Sequence, residues 1–228
     1  MKAKISEVFK SIQGEGPYQG TTQIFVRFFG CNLGCTFCDT EFISYEEKNL
    51  KELLGEIAAL GECGAVSLTG GEPLLQLDFL KKLSKRLKEQ GRMVYLETNG
   101  TLYQNLEKII GNIDIIAMDF KLPSSTMCRD LWLVHKEFLR IALQKEVFIK
   151  AVITSTTEIS DIFKCIDLIK TVGVGLVSAR NDTQFILQPQ NPFEDLLRDK
   201  LQKFQNICVK RGVNTKIMSQ LHKELGLR

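Results

Sequence analysis

Three cysteines, Cys31, Cys35 and Cys38, lie within one eight-residue stretch of the segment GCNLGCTFCDT. Thiols this close in sequence bind metal or do redox chemistry, because the thiolate is a strong, soft ligand. A structural zinc site needs four ligands, and the two histidines, His135 and His222, lie far along the chain. The favoured interpretation is an iron–sulfur cluster with three thiolate ligands, which leaves one iron open to a small chelating molecule.

The composition argues against several other classes of protein. The chain has 228 residues, of which 44% are hydrophobic and 25% charged, as in ordinary globular proteins. No apolar run approaches the roughly 18 residues of a membrane-spanning helix, and the N-terminus has no apolar signal segment. A formal net charge of +3 is too small to indicate nucleic-acid binding. We therefore expect a cytoplasmic protein without nucleic-acid or membrane partners.

The elements that position the cysteines follow an alternating pattern. Strands are predicted at 23–29, 65–69, 93–98, 113–120, 146–154 and 185–190. Helices are predicted at 49–60, 77–90, 102–110, 129–144, 158–172 and 192–212. This alternation predicts an α/β fold, a partial (incomplete) TIM-like barrel of about six parallel strands with outer helices, forming a single domain over 1–228.

Several loops follow directly after predicted strands. They span 30–44, 69–76, 97–101, 119–126 and 188–192. The carboxyl ends of parallel strands meet at one rim of such a fold, so these loops are expected to converge there. The loop with the sequence TGGEP at 69–73 carries two glycines, which let the backbone approach a ligand closely.

The spacing Cys-x3-Cys-x2-Cys after a strand, with Phe37 before the last thiol and TGGEP after the next strand, resembles the radical S-adenosylmethionine (radical SAM) superfamily. The resemblance implies that Cys31, Cys35 and Cys38 hold a [4Fe–4S] cluster and that SAM chelates the open iron. One electron then cleaves SAM to a radical that takes hydrogen from a substrate carbon. Because the radical is generated at the cluster, no side chain is identified as catalytic.

The stretch SIQGEGPYQGTTQIFVRFFGCNLGCTFCDTEF at 11–42 is more specific. With ETNGT (97–101), DFKLPSS (119–125) and QLHKEL (220–225), it resembles the 7-carboxy-7-deazaguanine synthase family. The resemblance implies conversion of 6-carboxy-5,6,7,8-tetrahydropterin to 7-carboxy-7-deazaguanine with loss of ammonia, on the route to queuosine. It also implies a [4Fe–4S] cluster, SAM and Mg²⁺ as cofactors, a homodimer, and an electron donor such as flavodoxin.

The same resemblance implies roles for individual residues. SAM contacts are implied for Phe37, Asp39, Gly71, Asp119, Phe120, Lys121 and Ser124. Substrate contacts are implied for Ile12, Gln13, Gly14, Arg27, Thr69 and Arg228, and a Mg²⁺ contact for Thr40. The chemistry suits several of these roles, because an Arg fork matches a carboxylate, Gln offers both donor and acceptor, and Mg²⁺ prefers oxygen ligands.

Some interpretations stay open. Lys121 is either a contact to the SAM carboxylate or a cap on a strand end, and Thr40 is alternatively a simple turn residue. Glu15 and Glu97 are loop carboxylates that either act on substrate protons or amines, or have a solvated or structural role. His222 is interpreted as a packing residue. Gly34 stands where the superfamily often has a bulky aromatic side chain, which affects packing beside the cluster and not its ligation.

Two other functions compete with this interpretation. A glycyl-radical-enzyme activase has similar length and the same thiol spacing, but it binds a protein partner and needs no pterin contacts; QGEG and CDT argue against it. A non-catalytic zinc-binding module requires a further ligand brought in by folding. Colour after anaerobic purification distinguishes the zinc module from both radical enzymes. A brown protein excludes the zinc module, and a colourless protein that contains zinc supports it.

Overall fold

The computed structural model describes residues 1–40, 43–174 and 183–227, within which nine strands form one sheet. The strands are β1 (Lys2–Ile12), β2 (Thr22–Phe28), β3 (Glu46–Asn49), β4 (Ala65–Gly70), β5 (Met93–Thr98), β6 (Ile115–Asp119), β7 (Glu146–Ile153), β8 (Phe185–Pro189) and β9 (Thr215–Ile217). The helices are α1 (Leu50–Ala59), α2 (Leu77–Glu89), α3 (Tyr103–Glu107), α4 (Pro123–Thr126), α5 (Trp132–Ala142), α6 (Ile159–Val174), α7 (Glu194–Lys210) and α8 (Leu221–Glu224).

The sheet has the order β3-β1-β2-β4-β5-β6-β7-β8-β9. Neighbouring strands from β2 through β4 to β9 pair in parallel, whereas β1 pairs antiparallel with both β2 and β3. No pairing between β9 and β3 closes the sheet within the described ranges. The predicted α/β fold with an incomplete barrel is confirmed, although the described parallel run has seven strands and not about six.

Strand β1 was not predicted from the sequence, and its pairing explains why. The register with β2 shifts between Ile5 and Glu7, so the alternation of buried and exposed residues is interrupted. Ala3 and Ile5 are buried, but the following residues are only partly covered. Strands β3 and β9 are short and polar, and they give no clear alternating signal either.

The two faces of the parallel strands have different partners. Residues such as Val66, Leu68 and Leu96 belong to the large core that packs with the helices on the outside of the sheet. Side chains of opposite parity point to the inside, because successive residues of a strand face opposite ways. There a smaller buried cluster forms, consisting of Tyr95, Ile115, Ala117, Phe148 and Ile186.

Local signals position the helices. Asn49 caps α1 by accepting hydrogen bonds from the backbone N–H groups of Lys51 and Glu52, and the Glu52 carboxylate accepts from the Asn49 N–H in return. Gly91, with φ of +74°, follows the end of α2 as predicted. Among the helices of the described residues, none is both long enough and apolar enough to cross a bilayer.

Candidate active site

A cavity of about 910 Å³ opens at the carboxyl ends of the parallel strands. This volume is at the upper end of the range for small-molecule sites. Its lining includes residues from the loops after β2, β4, β5, β6 and β8, so the predicted convergence of these loops on one rim is confirmed. The C-terminal segment also contributes, through Gln220, His222, Lys223, Gly226 and Leu227.

The cysteine loop follows β2 and all of Cys31, Cys35 and Cys38 line the cavity. The loop is fastened to α4, because the Thr36 N–H donates to the Thr126 carbonyl at 3.2 Å and the Thr36 hydroxyl donates to the Ser125 carbonyl at 3.2 Å. Cys31 and Cys38 are exposed and Cys35 is partly buried. The thiols are thus held by backbone contacts and face a space that a bound group could share.

The donor set fits an iron–sulfur cluster better than a single metal ion. Across the described parts of the chain, no three Cys, His, Asp or Glu side chains converge on one ion. A cubane cluster instead takes one thiolate at each of several irons, so its ligands surround a cube and do not meet at a point. The sulfur of Cys31 already accepts hydrogen bonds from the Leu33 N–H at 3.5 Å and the Asn99 amide at 3.7 Å.

The Cys35 thiol is protonated in the absence of a cluster. Burial raises its pKa to about 12, and the charge of Lys121 opposes that rise. Metal binding requires the thiolate, so loading this site releases a proton.

The TGGEP turn after β4 packs against the end of β2. A Cβ on Gly70, where φ is +137°, would overlap the backbone of Phe28, so only glycine fits. The Gly71 N–H donates to the Phe28 carbonyl at 3.2 Å, and Gly71 lines the cavity. This close approach explains Gly70 and brings the turn beside the cysteine loop.

Glu72 of the same turn is fully buried and holds the end of β5. Its carboxylate accepts hydrogen bonds from the N–H groups of Leu74 and Asn99, at 3.0 and 2.8 Å, and from the Thr98 hydroxyl at 3.0 Å. Burial raises the pKa of Glu72 to about 7, and these hydrogen bonds act in the opposite direction. Glu72 belongs to the TGGEP motif, but its anchoring role depends on contacts with residues of β5 and of the loop after it.

A chain of alternating charges forms one side of the cavity. Lys121 donates to Asp119 at 2.8 Å, Lys150 lies 3.3 Å from the other oxygen of Asp119, and Lys150 also pairs with Glu15. Burial alone would lower the pKa of Lys150, but Asp119 and Glu15 raise it above its usual value. Two carboxylates and two ammonium groups thus form one connected set of ion pairs along this wall.

Glu97 lies on β5 and accepts three hydrogen bonds inside the cavity. The donors are the Gln13 amide at 2.9 Å, the Ser67 hydroxyl at 3.2 Å and the Thr69 hydroxyl at 2.7 Å. All three donors are neutral, and Glu97 also interacts through its charge with Lys150 of the neighbouring charged wall. Glu97 thus has hydrogen-bond partners within the fold, as a structural role requires, and a direct action on the substrate stays a prediction.

Arg27 lies on β2 in register with Thr69 of β4, and Thr69 is one of the donors to Glu97. Its Nε is 3.4 Å from a Glu7 carboxylate oxygen, and its guanidinium lies 5.7 Å from the Phe9 ring centroid. Arg27 also lines the cavity. The side chains of Arg27 and Glu97 therefore both line the cavity.

The C-terminal segment packs against the loop after β1. The Leu221 N–H donates to the Gly14 carbonyl at 3.0 Å, and the Gln220 amide donates to Glu15 at 2.6 Å. A Cβ on Gly14 would overlap the His222 ring, which explains the glycine. Burial lowers the pKa of His222, which lines the cavity; its contact with Gly14 agrees with the predicted packing role.

Most residues singled out from the sequence lie at this cavity. The lining includes Ile12, Gln13, Gly14, Arg27, Phe37, Asp39, Thr40, Thr69, Gly71, Asp119 and Lys121, beside the three cysteines. Phe120 is buried against His135 instead, with ring centroids 5.3 Å apart, and Ser124 hydrogen-bonds Asp161 of α6. Neither is a lining residue. Arg228 lies outside the described residues.

Other lining residues were not found from the sequence. Lys150 and Gln188 lie within apolar strands, where a single polar residue facing inward was the available signal. Gln188 donates to Glu15 at 3.2 Å, which adds it to the charged wall. Asn99 was part of the ETNGT motif, but its contact with Cys31 depends on the fold.

Comparison with known proteins places the chain among characterised relatives. Residues 25–148 match the Radical SAM superfamily model. The 7-carboxy-7-deazaguanine synthase of Geobacter sulfurreducens is 36% identical over 98% of this chain and 97% of that protein. The enzyme of the same name from Thermoplasma acidophilum is 35% identical over 96% and 95%. A crystal structure of QueE from Escherichia coli shares the fold, with a TM-score of 0.65, 20% identity, and coverage of 96% and 94%.

Proposed function

The chain belongs to the 7-carboxy-7-deazaguanine synthase family of the radical SAM superfamily, and from this premise we propose that it converts 6-carboxy-5,6,7,8-tetrahydropterin to 7-carboxy-7-deazaguanine with loss of ammonia. The enzyme class, a radical SAM lyase of deazapurine biosynthesis, follows from that membership. The observation that carries the proposal is that three clustered thiols line the same cavity as the side chains of Arg27 and Glu97.

Cys31, Cys35 and Cys38 are proposed to hold the [4Fe–4S] cluster, with one iron left for SAM. When bound, the cluster supplies the electron that opens SAM to a radical able to take hydrogen from a substrate carbon. The chain's own contribution is to hold the ligands in place and to exclude water from the reacting groups. The thiols in the cavity, fastened through Thr36 to α4, support this assignment.

SAM is proposed to lie between the TGGEP turn and the Asp119–Lys121 pair. Gly71 lets the ligand approach the backbone, and Lys121 is placed 5.8 Å from the ring centroid of Phe37. Lys121 is largely buried and paired with Asp119, so its charge is held in one position. Phe37, Asp39, Phe120 and Ser124 stay part of the proposal, the last two as supports of the loop after β6.

The pterin is proposed to bind between Arg27 and Glu97. The carboxylate Glu97 accepts from the amino and ring N–H groups of the pterin, while Gln13 and Thr69 fix the orientation of Glu97. Arg27 uses Nε for Glu7 and keeps the outer edge of its guanidinium for the substrate carboxylate. Ile12, Gly14 and the terminal Arg228 complete the proposed pterin contacts.

Further properties belong to the same proposal. Thr40, which lies beside Cys38 and Asp39 at the cavity, is proposed to contact Mg²⁺ through its hydroxyl. The protein is proposed to act as one domain over 1–228, as a homodimer in the cytoplasm, with an electron donor such as flavodoxin. The full-length similarity to enzymes of one name supports the enzyme class and gives no support to a glycyl-radical activase or a zinc module.

The test is anaerobic incubation of the reconstituted protein with SAM, dithionite, Mg²⁺ and carboxytetrahydropterin. Mass spectrometry should find a product with one nitrogen fewer than the substrate. Cys35→Ala should lose the cluster and form no product, whereas Cys208→Ala, which changes a buried thiol of α7, should keep its iron. Iron-loaded wild-type protein that cleaves SAM but leaves the pterin unchanged would refute the proposed substrate.

A further inference from the structure

The side-chain amide of Asn99 lies beside a thiol proposed as a cluster ligand. Its Nδ2 is 3.7 Å from the Cys31 sulfur. We propose that Asn99 donates an N–H···S hydrogen bond to the cluster-bound Cys31 thiolate and thereby raises the reduction potential of the cluster. This inference rests on the proposed function, because it requires the cluster, and it makes Asn99 a positioning residue that acts through Cys31.

The orientation of the amide is determined by its neighbours. The Asn99 Oδ1 accepts hydrogen bonds from the N–H of Thr101 at 3.1 Å and from its hydroxyl at 2.6 Å. The Nδ2 group therefore points the other way, where it donates to Asn32 Oδ1 at 2.8 Å as well as to Cys31. A flipped amide would face the sulfur with its oxygen and meet the Thr101 donors with its NH₂ group.

The backbone of Asn99 is held as firmly as its side chain. Its N–H donates to the buried Glu72 carboxylate at 2.8 Å, and its carbonyl lies 3.3 Å from His135 Nε2. Asn99 is only 4% exposed. The amide is thus directed toward Cys31 before any cluster is bound, so little further ordering is required to form the hydrogen bond.

The direction of the effect follows from electrostatics. A reduced cluster carries one more electron than an oxidised cluster, and part of that negative charge resides on the thiolate sulfurs. A donated N–H stabilises the more negative state, which raises the potential; hydrogen bonds to the sulfurs are a known determinant of iron–sulfur potentials. Without Asn99, the cluster is harder to reduce, so a smaller fraction of it is in the reduced state at a given solution potential.

The experiment compares midpoint potentials of Asn99→Ala and the near-isosteric Asn99→Asp with wild type. Each protein is reconstituted anaerobically, its iron and sulfide are assayed, and the cluster is titrated by EPR in the absence of SAM. Both variants should have a more negative midpoint potential. Asn105→Ala is the matched control, because the Asn105 amide donates to the Leu74 carbonyl at 3.0 Å, and its midpoint potential should equal that of wild type.

The possible results separate this inference from the proposed function. Loaded variants with unchanged potentials overturn the role of Asn99 and leave the function intact. Cluster loss from both variants, with wild type loaded, also overturns it, since Asn99 is then needed for assembly and not for tuning. Wild-type protein that binds no cluster refutes the proposed function, and this inference with it.

Discussion

Lys223 of α8 donates a hydrogen bond to the carboxylate of Asp39, although the two residues lie 184 positions apart in the sequence. The contact joins the C-terminal segment to the loop that carries the three cysteines. Burial alone would raise the pKa of Asp39, but the Lys223 hydrogen bond and charge outweigh it and hold the pKa below its usual value. This ion pair therefore closes one side of the proposed active site.

Lys223→Met should weaken binding of the pterin severalfold, because the C-terminal wall is no longer held over the cavity. Stability should change by less than about 1 kcal/mol, since the pair is partly exposed. The measurements are KM for the pterin and iron content, which should stay at the wild-type level. Lys216→Met, at an exposed position of β9, is the control, and an unchanged KM in Lys223→Met would contradict the role of the pair.

Glu97→Gln should lower pterin affinity by about ten- to a hundredfold, the cost of about 1.5–3 kcal/mol for a hydrogen bond to a charged group. The amide also turns an NH₂ group toward donors such as Gln13 and Thr69. Calorimetric titration with the pterin measures the loss. SAM affinity should be unaffected, and Glu137→Gln on the surface of α5 should bind the pterin normally. Equal affinities in Glu97→Gln and wild type would exclude Glu97 from the pterin site.

Glu72→Gln should change how stability depends on pH. The folded pKa of about 7 lies above the usual 4.5, so the stabilisation is complete below pH 4.5 and is lost as pH rises through 7. Relative to Glu72→Gln, wild type should lose about 3 kcal/mol over that interval.

Urea unfolding of both proteins at about pH 5 and about pH 8 measures this difference. Glu62→Gln, an exposed glutamate, is the control and should follow wild type at both pH values. A constant difference between wild type and Glu72→Gln would mean that Glu72 does not titrate in this range.

Lys150→Met should destabilise the protein by about 3 kcal/mol, because Glu15 loses its cationic partner in a largely buried position. Asp119 keeps its ion pair with Lys121, so the loss of stability should come mainly from the unpaired Glu15 carboxylate. Denaturant unfolding measures the change. Lys85→Met removes an exposed pair with Glu89 and should cost less than about 0.5 kcal/mol. Similar losses of stability in Lys150→Met and Lys85→Met would show that the buried ion pairs of the wall contribute no more than an exposed pair.

Thr40→Ala should reduce the stimulation of activity by added Mg²⁺ and leave the iron content unchanged. The substitution removes the hydroxyl, and Mg²⁺ prefers oxygen ligands, so the alanine methyl group cannot replace it. Activity is measured across Mg²⁺ concentrations after chelation, with Thr40→Ser as the control that keeps the hydroxyl. Loss of iron, or a normal Mg²⁺ response, would contradict the assignment of Thr40.

Sequence patterns predicted most elements of the fold, but not all of them. The helices predicted at 49–60 and 77–90 correspond to α1 and α2, because their apolar spacing and capping residues are local signals. Strand β1 was not predicted, because its register shift interrupts the two-residue period of buried and exposed side chains. The helix predicted at 129–144 begins later, at Trp132, after the left-handed residue Met127 and the turn that follows α4.

The residues of the candidate site likewise fall into those recognisable from local sequence and those brought together only by the fold. Cys31, Cys35 and Cys38 are close in sequence, so their spacing alone indicates a shared ligand, and Gly71 belongs to a local turn. In contrast, Glu15 meets Gln220 across 205 positions, and Asn99 meets Cys31 across 68. Such contacts depend on the order of strands in the sheet and on which residues face inward.

The amino-acid sequence alone therefore determines the cluster loop, the glycine turn and the alternation of strands and helices, since each depends on neighbours within a few positions. Only the tertiary structure decides that Lys150 joins Glu15 to Asp119, that Glu97 accepts from Thr69, and that Asn99 points at Cys31. The physical reason is that these contacts arise from the register of parallel strands and from the packing of distant segments at one rim. Neither leaves a periodic signal in the chain.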